Sequence, residues 1–269
     1  MFCDPSNPKG GGVVDVWRES VPVRFGAIDK SDRMTLDAVF NYFQEAAISH
    51  AENIGVGRDD MTANKQAWIL SRISVLVSRS PDYCENISVS TWPRGSEKLF
   101  VIRNYQINDK DEIPVVRARS AWLVLDIEKR RPLRPQSITA PIPLNEGRET
   151  LKPEDKGAAG LEERTNLRKT AERKALYTDL DANGHVNHIR YIQWMQDTLA
   201  PGLLENAAKI RLDINYLNEV LSGETVDLMS ALIEDDNCKN AYAFEGIKNE
   251  QSGGEARQAA FRAELRLWD

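Results

Sequence analysis

A chain of 269 residues, 41% hydrophobic and 28% charged, is long enough for one large domain or two modules, each with a core of its own. A net charge of −6 argues against general nucleic-acid binding, and no apolar run is long enough to span a bilayer. Cys3, Cys84 and Cys238 are odd in number, far apart and in no metal-ligand spacing, which points to a reducing compartment without a disulfide framework.

Residues 1–12 lack the apolar stretch of a secretory signal and the Arg/Ser-rich look of a transit peptide. Pro5, Pro8 and Gly10 to Gly12 predict a flexible tail, and the expected location is the cytoplasm. A first strand is expected within Val14 to Phe25. Leu36, Phe40, Phe43, Ala47, His50 and Ile54 then mark one face of a long helix, opened by Thr35 as N-cap and ended by Gly55 and Gly57. His50, on that apolar face, reads as a core histidine. Alternation at Ile73 to Val77, Ile87 to Thr91, Phe100 to Ile107 and Val115 to Leu125 predicts four more strands.

From Pro132 to Arg173 prolines and then dense charge break the periodicity, so 132–173 is expected to be a linker, with a short helix near Glu162 to Glu172. The strand–helix–strands pattern then returns. A strand at Lys174 to Tyr177 leads into a polar turn and a helix from Val186, with apolar positions through Leu199 and Leu203. Strands follow at Ile210 to Tyr216, Val226 to Leu232, Ala241 to Ile247 and Ala259 to Leu267. The last alternates with Arg262, Glu264 and Arg266, so one of its faces should be wet. The repeat extends to residues: Phe40 to Glu45 lies over Ile192 to Asp197, placing Ser31 opposite Asn183 and Arg33 opposite His185. A duplicated fold is expected, with modules at 13–131 and 174–269 and one reactive turn.

That turn, Asp179-Leu180-Asp181-Ala182-Asn183-Gly184-His185-Val186-Asn187, gathers two carboxylates, two carboxamides and an imidazole at a helix start, where backbone N–H groups lack intrahelical partners. Such a set is most of what acyl transfer needs, although Asp and Asn before a helix also serve simply as caps. His185, His188 and Asp181 could also mimic a metal site, but the chain has only three histidines and no metal is expected.

The stretch Asp179 to Trp194 closely resembles the signature of acyl-ACP thioesterases of the plant plastid and bacterial kind. Asn41 to Ala47, Trp68 to Arg72, Thr91-Trp92-Pro93 and Arg119 to Trp122 resemble that family's N-terminal module, in the right order along nearly the whole chain. The resemblance implies an α+β fold of two tandem hotdog modules, each a curved antiparallel sheet wrapped around a long helix. It implies hydrolysis of the thioester joining a fatty acyl chain to acyl carrier protein (ACP), with no cofactor. The C-terminal module would carry the chemistry and the N-terminal module would shape the acyl cavity, for which Phe43, Trp68 and Trp122 are candidates.

Carried over by motif, Asp181, Asn183 and His185 match the catalytic turn, and Glu219 stands where the family has its catalytic glutamate. Val220 stands where the family has a cysteine, so a thiol nucleophile is unavailable there. In the expected mechanism Asp181 supports His185, Asn183 positions the water or the carbonyl, and the backbone N–H groups of His185 and Val186 hold the oxyanion. Glu219 would activate water or attack directly. ACP is acidic, so Lys129, Arg130, Arg131 and Arg134 are docking candidates. An acyl-CoA thioesterase and a catalytically silent acyl-binding protein are the alternatives. Either a monomer or a homodimer is compatible with two modules in one chain.

Overall fold

The computed structural model describes residues 14–151, 164–249 and 258–269; the expected tail at 1–12 and the start of the expected helix near 162 lie outside them. In the first half, five strands form an antiparallel sheet: β1 (Trp17–Pro22), β2 (Gln66–Val77), β3 (Asn86–Glu97), β4 (Phe100–Asn108) and β5 (Pro114–Asp126). The short β6 (Arg131–Leu133) pairs with the end of β5 that β4 does not reach. The second half repeats the plan with β7 (Arg168–Lys174), β8 (Lys209–Tyr216), β9 (Thr225–Ile233), β10 (Asn240–Lys248) and β11 (Gln258–Trp268). The order across the molecule is β1-β3-β4-β5-β2-β8-β11-β10-β9-β7. The two modules are therefore mirrored about the β2–β8 seam, which runs from Arg72 opposite Asn215 to Val77 opposite Ile210. This is the tandem hotdog arrangement, an α+β fold.

Each module packs its sheet on one main helix. In the first, α1 (Leu36–Asn53) starts where Thr35 Oγ1 accepts the N–H of Ala38 at 3.3 Å, and it ends before Gly55, whose φ of +70° suits glycine. Its apolar stripe of Leu36, Val39, Phe40, Phe43, Ala46 and Ala47 is buried. Large side chains of this kind contribute about 1.5–3 kcal/mol each on full burial. A short helix, α2 (Arg58–Ala63), follows.

The counterpart in the second module, α3 (His188–Gln196), is half as long and stops well before the expected Leu203. Thr198 Oγ1 donates to the carbonyl of Met195 at 2.7 Å, and the N–H of Leu199 reaches Gln196 O at 3.1 Å, an i→i−3 bond. Pro201 then disfavours helix at Ala200. Leu199 and Leu203 still pack against the core, but from turns.

Two expectations for the connector need correction. Residues 132–151 form a strap pinned across the first module: Trp92 Nε1 and Asn104 Nδ2 both donate to Arg148 O (3.0 and 2.9 Å), and Thr150 Oγ1 donates to Ala118 O (2.7 Å). The expected helix over 162–172 is replaced, where described, by the edge strand β7, because residues 168–174 pair along β9 and Thr170 bonds Leu228 O. A short isolated helix is marginal in water, whereas pairing along an open sheet edge gives the segment a hydrogen-bonded partner strand. The face of β11 expected to be wet is instead a half-buried ion-pair ladder: Arg266 reaches Asp235 and Glu264 at 2.7 Å each, and Arg262 reaches Glu245 at 2.7 Å.

Candidate active site

The reactive turn is held by its own backbone. The N–H of Asp181 donates to His185 O (2.8 Å) and that of Gly184 to Asp181 O (3.0 Å), with Gly184 at φ +79°. Glycine is the residue that adopts this conformation without penalty. The carboxylate of Asp181 accepts the N–H groups of Asn183 (2.8 Å) and His185 (3.3 Å) through one oxygen, while the other lies 3.4 Å from Asn183 Nδ2. Asn187 closes the turn as the N-cap of α3, accepting from Ile189 N at 2.9 Å.

Glu219 arrives from the loop after β8. A bridge between His185 and Leu221 and the bond from Val186 N–H to Val220 O (2.8 Å) lay this loop beside the turn. Leu221 N–H donates to Glu224 Oε2 (2.8 Å), Gly223 turns the chain at φ +83°, and Lys248 Nζ holds Glu219 O at 3.0 Å. The result is a contact of 3.3 Å between His185 Nε2 and Glu219 Oε2, with the two side chains 36% and 40% exposed. An imidazole and a carboxylate meet at the surface, reachable by a substrate and by water.

The first module supplies the facing wall. Gln44 on α1 accepts from Asn187 Nδ2 (3.2 Å), and Gln193 on α3 donates to Asp37 on α1 (2.8 Å). Arg58, at the start of α2, donates to Ala182 O at 3.2 Å. Arg130 Nη2 donates to Glu219 Oε1 at 2.7 Å. The first module also holds a small apolar cluster of Ile54, Val56, Met61 and Val124, with Trp68 packed against it.

Several expected roles do not fit this geometry. Asp181 does not support the His185 ring; its carboxylate fastens the backbone of the turn. The N–H groups of His185 and Val186 are already bonded, to Asp181 Oδ1 and Val220 O, so neither is free for an oxyanion. Among the described residues the N–H of His188, first in α3, has no hydrogen-bond partner. Val220 is fully buried and takes part only through its carbonyl.

Phe43 is a core residue, 2% exposed, with its ring centroid 4.8 Å from that of Tyr105 and tilted to it by 37°. Trp68 and Trp122 are half-buried and donate to Val56 O (3.0 Å) and Ser120 Oγ (2.7 Å). Lys129, Arg131 and Arg134 are exposed, and so is Arg130, whose side chain is 70% open to solvent and reaches Glu219 along the surface. Cys84 and Cys238 lie in turns away from Glu219, and Cys238 donates weakly to Asn240 O. Sequence reasoning missed the Arg58, Gln44 and Arg130 contacts to the site; the only signal for that of Arg130 was a basic run in a turn.

Of the other two histidines, His50 is buried and His188 is half-buried. His50 Nε2 donates to Val14 O (2.8 Å) and its Nδ1 accepts from Arg103 (3.0 Å), which fixes one tautomer; burial, then the nearby guanidinium, lowers its pKa to about 4. His188 packs edge-on against Tyr216, and burial lowers its pKa to about 4 as well, opposed by Asp181.

Comparison with known proteins agrees with this layout. The acyl-ACP thioesterase N-terminal domain matches residues 14–142, and the C-terminal domain of the same family matches 162–263. A chloroplastic palmitoyl-acyl carrier protein thioesterase of Cuphea hookeriana is 25% identical over 278 residues, covering 95% of this chain and 64% of the relative. A chloroplastic acyl-[acyl-carrier-protein] hydrolase of Cuphea viscosissima is 25% identical over 260 residues, covering 89% of this chain and 60% of the relative. The chain thus spans somewhat less than two thirds of these relatives.

The crystal structure of an acyl-ACP thioesterase from Bacteroides thetaiotaomicron superimposes with a TM-score of 0.74 at 25% identity, covering 94% of this chain and 97% of that one. A 12:0-ACP thioesterase from Umbellularia californica shares the fold, with a TM-score of 0.75 at 18% identity, covering 95% and 98%. With both family domains matched in order and the fold shared end to end, this chain belongs to the acyl-ACP thioesterase family.

Proposed function

We propose that the protein hydrolyses the thioester between a fatty acyl chain and the phosphopantetheine arm of ACP. The observation that carries this reading is the 3.3 Å meeting of His185 Nε2 and Glu219 Oε2 at an accessible surface between the modules. The acyl carbonyl lies against the start of α3. Glu219, paired with His185, takes a proton from the attacking water as its oxygen bonds the carbonyl carbon. The developing oxyanion is met by the N–H of His188 and by the Asn183 carboxamide, whose Nδ2 has a second hydrogen beyond its long 3.4 Å bond to Asp181, in the favourable field of the helix N-terminus. The carbon–sulfur bond then breaks, and the thiolate leaves with the proton held by the Glu219–His185 pair. Asp181 acts by keeping the turn in shape.

The acyl chain runs from this point along the wall marked by Arg58 and Arg130 and into the apolar cluster around Met61, Trp68 and Val124, so the first module sets the cavity. Lys129, Arg131 and Arg134, exposed beside the site, receive the acidic carrier protein. The test is release of free fatty acid from acyl-ACP and from acyl-CoA of the same chain length. Faster turnover of acyl-ACP by kcat/KM is expected. Preference for the CoA ester, or binding of acyl-ACP without turnover, would overturn the proposal.

A further inference from the structure

Glu219 is held at three points. Its carbonyl is bonded by Lys248, one carboxylate oxygen faces His185, and the other accepts from Arg130 at 2.7 Å. The last contact crosses from one module to the other. Without it, nothing else among the contacts of Glu219 fixes the plane of its carboxyl group, because the residue sits on an exposed loop with its side chain 40% open to water.

Arg130 reaches Glu219 from a rigid support. It lies in the turn between β5 and β6, where Asp126 Oδ1 accepts the N–H groups of Glu128 (3.0 Å) and Lys129 (2.9 Å). Ile127 N–H donates to Lys65 O (3.0 Å), and Lys65 Nζ pairs with Glu128 (2.7 Å), tying the turn to the start of β2. Arg130 itself has φ +48°, a left-handed conformation that favours glycine or asparagine. An arginine accepts that strain here and projects its guanidinium across the module boundary. Its neighbours Lys129 and Arg131 remain exposed on the hairpin.

We propose that Arg130 is a positioning residue for the thioesterase reaction: its bond to one oxygen of Glu219 presents the other to His185. This rests on the hydrolase reading above and makes the chemistry of the second module depend on the seating of the first. It also removes Arg130 from the carrier-docking set.

The test uses the full chain with acyl-ACP and with the same acyl group on a small thiol such as N-acetylcysteamine, which has no carrier to dock. For Arg130→Ala, kcat is expected to fall about ten- to a hundredfold on both substrates while KM stays nearly constant, as for a misplaced reacting group. Low, non-denaturing guanidinium ion should restore part of the loss, because the site is open to solvent, and Arg130→Lys should retain an intermediate rate. An unchanged kcat would overturn the proposal. So would a rise in KM confined to acyl-ACP, which is the signature of docking. A loss that neither guanidinium nor lysine restores would also overturn it, since that marks a merely structural role. Absence of turnover by the unmodified protein on either thioester would remove the hydrolase reading, and the positioning role with it.

Discussion

The turn at 29–35 and the turn at 181–187 are the same object with different side chains. In the first module Asp29 N–H donates to Arg33 O (2.9 Å), Asp32 N–H to Asp29 O (3.1 Å), Met34 N–H to Pro81 O (2.8 Å) and Thr35 N–H to Ala27 O (3.0 Å). In the second, the bonds from Asp181, Gly184, Val186 and Asn187 repeat these one for one, to His185, Asp181, Val220 and Asp179. Asp29 accepts from Ser31 and Arg33 as Asp181 does from Asn183 and His185. Asp32 takes the left-handed position that Gly184 holds, and Cys84 that of Gly223. Even the cross-module cover is matched: Lys30 pairs with Glu205 (3.2 Å) where Ala182 meets Arg58. The difference lies in what projects. Arg33 and Ser80 occupy the places of His185 and Glu219. The scaffold of the turn is therefore independent of those two side chains, on which the proposed chemistry rests.

The largest effect that would break this comparison is on turnover. Glu219→Gln and His185→Ala should each lower kcat by about 10²–10⁴-fold, the usual range for a positioned acid or base. Both side chains are partly exposed and make no core contact, so thermal unfolding should be unmoved. Changing Arg33 or Ser80 to alanine should leave kcat within a fewfold of the unmodified protein. Comparable losses at both turns would show that each carries chemistry.

A smaller effect separates scaffold from chemistry. Asp29→Ala and Asp181→Ala each remove a carboxylate that accepts two backbone N–H groups, and each should cost about 1–2 kcal/mol of stability, as for a lost cap. Only the second should also abolish activity, because it releases the segment that carries His185. Equal stability losses with unequal activity, read by denaturant unfolding and by acyl-ACP hydrolysis, would sharpen the equivalence. Unequal stability losses would show that the two turns are not held alike.

Most of this was legible in the sequence for a physical reason. Period-two and period-3.6 patterns record which face of an element is buried, and a duplicated chain records them twice, so most strands, α1 and the pairing of Arg33 with His185 could be read, whereas the strand expected at Lys174 to Tyr177 lies instead at Arg168–Lys174. Glu219 could not be read from local pattern, being an exposed residue before a glycine turn; family resemblance alone singled it out. Three things were hidden. The Arg130–Glu219 bond joins residues in different modules, and no periodicity encodes a contact between exposed side chains. The N–H groups of His185 and Val186 look free from sequence, but the antiparallel bridge to the 219–221 loop and the carboxylate of Asp181 occupy them. The β7 segment is dense in charge because it is an edge strand with one wet face, which in sequence is hard to tell from an exposed helix.

The smallest effect concerns His50 and His188, one on the main helix of each module. Each has a pKa lowered by burial to about 4, against an ordinary value of 6.5. In the unfolded chain both gain a proton as pH falls through 6.5, whereas in the folded protein they stay neutral until about pH 4. The unfolded state thus binds more protons across that window, and stability must fall with pH between 6.5 and 4. The slope is at most about 1.4 kcal/mol per pH unit for each histidine. Below that window the loss passes to carboxylates such as Asp235, which Arg266 and Asn237 hold down to about 2, stabilising the fold above its ordinary 3.8 and ceasing to do so as pH drops towards 2. Urea unfolding at pH 7 and pH 5 measures the first window. Replacing His50 or His188 with glutamine, which does not titrate, should remove about half of the difference in either case. If one variant removed nearly all of it, only that module would carry a histidine held neutral by burial, and the symmetry of the two helices would end at their shape.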